Sequence, residues 1–274
     1  MVIQLRVGWL LAIGCCFLGS VRPTCAAGLT EPRLTQVIRD VRVTEVGSGS
    51  DRASLNTVLN DPVIATGPEA RAEITFRDQA VVRLGDNTTF SIHSKGRLFE
   101  LTSGAVLLQV PKRVSGTTVK VGVVTATASG TALAVENLPE AYIKFIAIDG
   151  TSRLCLKAPG RMSDCVLLRP GQMLIVGPTA KGLPEAVDVN LTRFLETCQL
   201  VSEFPELPGQ SRLLKSAADQ RRYKSKGNLV DTNLVIFGRG TLVSLTNPGA
   251  TAPPSPAPSA SQSPGNQKAA APTP

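Results

Sequence analysis

Aromatic side chains make up only 4% of this 274-residue chain, with a single tryptophan and a single histidine. So few rings leave no stacking platform for single-stranded nucleic acid. The formal net charge is +8, but the basic residues are scattered rather than gathered into a stripe, which reads as a solvated basic surface and not as a phosphate-tracking groove. No nucleic acid partner is expected. His93 stands in "HSKG" without an activating neighbour, so a serine or cysteine nucleophile has no evident base. Neither a Gly-x-Ser-x-Gly elbow nor a Gly-Lys-Ser or Gly-Lys-Thr phosphate loop occurs. Zinc has no close C-x-x-C pair, and His93 lies in a different segment from the cysteines of the mature chain. Asp149 and Asp164 would make a carboxylate pair only if their strands were adjacent, and Asp149-Gly150 and Ser163-Asp164 are ordinary turn sequences. No catalytic residue, no metal site and no cofactor is expected, and the chain reads as a non-enzyme. After residue 27 no apolar run is long enough to cross a bilayer.

What is present begins at the N-terminus. Arg6 precedes "VGWLLAIGCCFLGSV", uncharged from Val7 to Val21, and then comes "RPTCAAG" with small residues at Cys25, Ala26 and Ala27. A basic start, a short apolar run and a small-residue cleavage site predict a secretory signal peptide over residues 1–27. Cleavage near Ala26 or Ala27 would leave a soluble periplasmic or secreted chain. Loss of Arg6 and Arg22 lowers the charge by two, from +8 to +6. A second reading is lipidation at Cys15, where "LAIGC" loosely resembles a lipoprotein signal but carries Ala12 in place of the usual leucine. Three of the six cysteines fall in the leader, leaving Cys155, Cys165 and Cys198. "CLKAPGRMSDC" sets the first two on either side of a Pro-Gly turn, so paired strands would bring them within disulfide reach in an oxidising compartment. A Cys155–Cys165 bridge is predicted, with Cys198 unpaired.

From about Val37 to Val176 the apolar pattern has period two and is punctuated by Gly, Pro and Asp-Gly turns. This rhythm predicts an all-β fold, an antiparallel sandwich or roll. In "AEITFRDQAVVRL" (72–84), Ile74, Phe76, Ala80, Val82 and Leu84 share one face, expected to be buried. Glu73, Thr75, Arg77 and Arg83 are expected to face water, with "RDQ" as the turn. After Gly182 the pattern changes. Leu191, Phe194, Leu195, Cys198 and Val201 have helical spacing, Asn190 is available as N-cap, and Pro205 and Pro208 stop the helix. Cys198 would lie on its apolar face. A second helix is expected in "SRLLKSAADQRRYKSK", and a strand or hairpin in "NLVIFGRGTLVSL". The Pro-, Ala- and Ser-rich end has one charged side chain, Lys268, and too little apolar surface to offset its ordering entropy. The expected domains are the leader 1–27, a β domain 33–182, a helical extension 187–246 and a disordered tail 247–274.

Five sequence elements in order resemble the FecR domain, the extracytoplasmic β domain named after the ferric citrate regulator. They are "SLNTVLNDPVIATGPEARAEITFRDQAVVRLGDNTTFSI", "FELTSGAVLLQVP", "VVTATASGTALAVE", "YIKFIAIDG" and "LLRPGQMLIV". The resemblance covers about residues 37–176. It implies a FecR-like sandwich and an exported binding or protein-interaction module of the bacterial envelope, whose partner is an envelope protein or glycan. The other reading it implies is the sensor component of a cell-surface signalling system. Three departures stand out. Gln79 occupies the place of the family's usual glycine after Asp78, and Asp149 replaces the usual glutamate before Gly150. A signal peptide also stands where regulatory members carry an anti-sigma segment and a membrane span.

Overall fold

The computed structural model describes residues 31–45, 49–93, 98–113, 116–157, 164–223 and 229–235. The leader, the tail and the part of "NLVIFGRGTLVSL" after Val235 lie outside the described residues. Strand dominates, and the described residues fall within one compact unit.

Two sheets share one long strand. The first sheet runs in the order β1 (Arg33–Ile38), β5 (Arg71–Thr75), β6 (Val81–Leu84), the second half of β8 (Leu98–Gln109), β11 (Ala132–Leu138), β12 (Tyr142–Asp149), β15 (Gln172–Val176) and β16 (Val187–Asp188). The second runs β3 (Ser50–Arg52), β2 (Val41–Thr44), β4 (Val63–Thr66), β7 (Thr89–His93), the first half of β8, β9 (Thr117–Val121), β10 (Val124–Ala128), β13 (Ser152–Leu156) and β14 (Asp164–Leu168). Among the described residues every pairing of named strands is antiparallel except β8 with β9. The sandwich or roll expected from the alternation is therefore observed, with this one parallel pair added.

Gly104 is where β8 changes sheets. Its φ is +90°, and a Cβ there would lie 2.5 Å from the Thr88 Cα. Only glycine fits that bend. Beside it the Ala105 amide donates to Thr88 Oγ1 at 3.1 Å.

The inner faces of the two sheets meet in the main core, built from residues such as Ile74, Val82, Leu108 and Phe145 on one side and Ile64, Phe90, Phe99 and Leu154 on the other. All five residues expected on the buried face of the 72–84 hairpin are there, none more than 2% exposed. The Phe76 and Phe99 ring centroids are 5.6 Å apart, and those of Phe90 and Phe99 are 5.4 Å apart.

The hairpin turn is a three-residue loop. The Phe76 amide donates to the Ala80 carbonyl at 2.9 Å, the Gln79 amide to the Phe76 carbonyl at 2.9 Å, and the Ala80 amide to Asp78 Oδ1 at 3.0 Å. Gln79 closes it with φ +69°, the left-handed conformation that glycine adopts without a Cβ penalty. Gln79→Gly should therefore be neutral or stabilise the fold by up to about 1 kcal/mol, the relief of left-handed strain being partly offset by greater freedom of the unfolded chain. The urea midpoint of the variant reads this, and a clear drop would contradict the turn assignment.

Cys155 and Cys165 are directly opposed on β13 and β14, with Cα atoms 4.1 Å apart, and are disulfide-bonded as expected. The bridge fastens an edge strand to its neighbour. Replacing both cysteines by serine should lower stability by about 2 to 3 kcal/mol through loop-closure entropy. Thermal unfolding of the variant, beside the reduced and oxidised wild type, measures the loss.

Among the described residues three helices follow the strands: α1 (Leu191–Thr197), α2 (Gln199–Ser202) and α3 (Gln210–Tyr223). Asn190 caps α1 as predicted, its side chain accepting from the Arg193 amide at 3.2 Å. The single helix expected from Leu191 to Val201 is not continuous. Cys198 is extended, with ψ 113°, and divides it into α1 and α2. Rather than lying on a helix face, Cys198 is the joint between two helices, still fully buried. The turn there aims the Leu200 carbonyl at the sheet, where a buried guanidinium takes it.

Candidate functional site

The outer face of the first sheet carries the polar groups that simple alternation cannot place. On an isolated sandwich this face would meet water. Here α1 to α3 and the 229–235 segment lie over it. A second apolar cluster forms between them, including Leu107, Ala134, Ile146 and Ile148 from the strands and Phe194, Leu200 and Leu213 from the helices.

Arg83 corrects the expectation for the hairpin. It was expected to face water and is 0% exposed, because the α2 region covers β6. Its Nε donates to Glu73 Oε2 at 2.8 Å across the strand pair, its Nη1 donates to the Leu200 carbonyl at 2.8 Å, and its Nη2 donates to the Pro205 carbonyl. The guanidinium also lies 4.7 Å from the centre of the Phe204 ring. Burial lowers the Arg83 pKa, and the hydrogen bond and charge of Glu73 oppose that shift. Glu73 and Thr75 are half-buried, and only Arg77 of the four is exposed as expected.

A second ion pair lies on the neighbouring strands. Glu136 on β11 and Lys144 on β12 are cross-strand partners, 2.6 Å apart and at most 1% exposed. Lys144 Nζ also donates to the Asn233 carbonyl at 2.7 Å, the Val235 amide donates to Glu136 Oε1 at 2.8 Å, and the Tyr142 hydroxyl donates to Glu136 Oε2 at 3.3 Å. Burial pulls the Lys144 pKa down, and Glu136 acts against it. These contacts tie the 229–235 segment to the sheet.

Further polar ties surround the two pairs. Arg71 forms an ion pair with Glu203, and Gln109 Nε2 donates to the Pro208 carbonyl. Gln220 of α3 donates to the Val189 carbonyl at 2.7 Å and accepts the Leu191 amide at 3.1 Å. The extension is thus fixed to the sheet by side chains that satisfy the backbone of its irregular turns. Cys198 sits among these groups with its thiol pKa pushed up to about 12 by burial. It stays protonated at physiological pH and is a poor nucleophile.

The other residues weighed in the sequence are dispersed. Asp149, at the end of β12, accepts from Ser216 Oγ at 3.0 Å. Asp164, on β14 in the second sheet, accepts the Leu183 amide at 2.7 Å. The structure does not bring these carboxylates together as a pair. His93 ends β7 with Nε2 3.5 Å from Glu100 Oε2, while Lys120 Nζ donates to Glu100 Oε1 at 2.8 Å. The hydrogen bond from Lys120 is the largest influence holding the Glu100 carboxyl below its usual range. Among the described residues, no group of three or more His, Cys, Asp or Glu could hold a metal ion.

Sequence reasoning missed Arg83, Glu136 and Lys144 as buried polar residues. One signal was available. "ALAV" before Glu136 and "FIAI" after Lys144 are continuous apolar runs, the pattern of strands covered on both faces rather than one.

The molecule is a two-sheet β domain with a helical cover on one sheet. Residues 62–150 match the family model described as FecR protein, from the approach to β4 to the turn after β12. The match is narrower at both ends than the 37–176 resemblance, and it falls on the recognised FecR domain. Two solved structures, both of candidate anti-sigma factors from Parabacteroides distasonis, are similar to this chain. One is 17% identical with a TM-score of 0.41, the likeness covering 49% of this chain and 65% of that one, just under two thirds of its length. The other is 11% identical with a TM-score of 0.39, covering 62% of this chain and 96% of that one. No curated protein matches the chain.

Proposed function

We propose that this chain is an exported, non-enzymatic interaction module of the bacterial cell envelope, with the FecR-type domain as scaffold and the helical extension as its variable surface. The observation that carries the reading is the FecR match over residues 62–150, which spans the inner strands of both sheets. The polar groups buried on the first sheet support it, because among the described residues they are held by backbone groups and neighbouring side chains of the fold itself. Among the described residues no helix is long and apolar enough to cross a membrane.

The family match also favours a second reading within the same class of function, that the module belongs to a cell-surface signalling system and presents a signal to a membrane partner. Deletion of the gene tests this directly. Signalling predicts altered transcription of one set of envelope or transport genes under sigma-factor control, and an unchanged transcript profile would leave a purely structural binding role. Export is tested by N-terminal sequencing of the envelope fraction, expected to begin near Ala27 or Gly28. An intact Met1 terminus in the soluble cytoplasm would contradict it.

A further inference from the structure

A cleft of about 260 Å³ lies at the bend in β8, beside Gly104 and against the end of β11. Leu138 and Pro139 supply its apolar wall, and the two charged side chains in its lining, Asp86 and Glu136, are both acidic. Glu136 is committed to Lys144 and the Val235 amide. Asp86 is half-buried and accepts from Asn87 Nδ2 at 3.0 Å. Val235 also lines the cleft, so the last described residue forms part of its wall. From there the sequence continues as Ile236-Phe237-Gly238-Arg239.

Spacing, charge and tethering select the occupant. Thr232 and Leu234 are buried while Asn233 and Val235 are half-buried, and the same period of two carried forward puts Phe237 and Arg239 on the side of Val235. Phe237 is the only aromatic residue after Val235, and Arg239 and Lys268 are the only charged ones. A guanidinium four residues from the wall suits the acidic lining, because a carboxylate can take it in a bidentate pair. A side chain joined to the wall by two residues is also presented at an effective concentration on the order of millimolar or above. A second copy or a separate partner has no such advantage. We infer that the cleft holds the chain's own Phe237, with the Arg239 guanidinium on the Asp86 carboxylate. An outside partner reaches this surface only by displacing them. Such docking within the chain holds whether or not the protein binds an envelope partner.

Trp9 of the leader is the only tryptophan in the sequence, so Phe237→Trp in the full mature protein is a single fluorescent reporter. The expected result is an emission shifted to the blue of the urea-unfolded protein and weakly quenched by acrylamide, both unchanged on dilution. Arg239→Glu in that background should move the emission toward the unfolded value. Adding Asp86→Lys should bring it back, since opposite charges face each other again. A second measurement needs no indole to fit. Phe237→Ala should speed hydrogen exchange of the Val235 amide by roughly tenfold or more through loss of a local anchor, with the β12 amides unaffected. Unaltered exchange at Val235 together with a water-exposed indole would overturn the docking. Emission indifferent to both charge changes would overturn the pairing with Asp86, and a blue shift lost on dilution would give the cleft to a second copy instead.

Discussion

Lys144→Met should destabilise the protein by about 3 to 5 kcal/mol, the cost of leaving a buried charge without its partner. The loss follows from geometry. Glu136 is 1% exposed, and after the substitution the donors left to it among the described residues are the Val235 amide and the Tyr142 hydroxyl. Methionine fills much of the lysine stem's volume, so the effect isolates the ammonium rather than a cavity. Adding Glu136→Gln should restore most of the loss. A neutral amide still accepts the Val235 amide, and a buried ion pair replaced on both sides is often close to neutral in stability. Urea unfolding of the single and double variants reads both effects. A Lys144→Met protein as stable as wild type would mean that residues 229–235 do not cover this pair.

The second large effect belongs to the inner face. Phe76→Ala should cost about 3 to 5 kcal/mol through lost burial and the cavity left against Phe99. Phe76 is 2% exposed and sits immediately before the turn that Gln79 closes. Opposite responses of neighbouring positions are therefore expected, severe at Phe76 and neutral or favourable at Gln79. Thermal unfolding of the two variants side by side is sufficient, and a tolerated Phe76→Ala would contradict the assignment of faces.

The two faces of the first sheet differ in how far they were legible. Ile74, Phe76, Ala80, Val82 and Leu84 could be read because period two reports directly on a face packed against a second sheet. Arg83 could not, because nothing within four residues of it encodes a helix joint more than a hundred residues later. Alternation marks it as outward, which is correct, and outward is not the same as solvated once another layer arrives. Glu136 and Lys144 lie in strands apolar on both faces, and that was the local trace of the cover. The Cys155–Cys165 bridge was legible because a short segment containing Pro-Gly between two strand-like stretches constrains their pairing by itself. Asn190 was legible as a cap for the same local reason, whereas the break at Cys198 was not. The break accompanies a tertiary contact, the Leu200 carbonyl accepting from Arg83.

The proposed role is to hold a partner outside the cytoplasm on the FecR-type domain. Affinity capture of the mature protein from its own envelope, at native abundance and after brief chemical cross-linking, tests this most directly. The account predicts one envelope protein or glycan recovered in near-stoichiometric amount, and retained by the Cys155→Ser/Cys165→Ser variant at temperatures where it remains folded. Recovery of the chain alone, across repeated preparations in which a known envelope complex is captured intact, would contradict it.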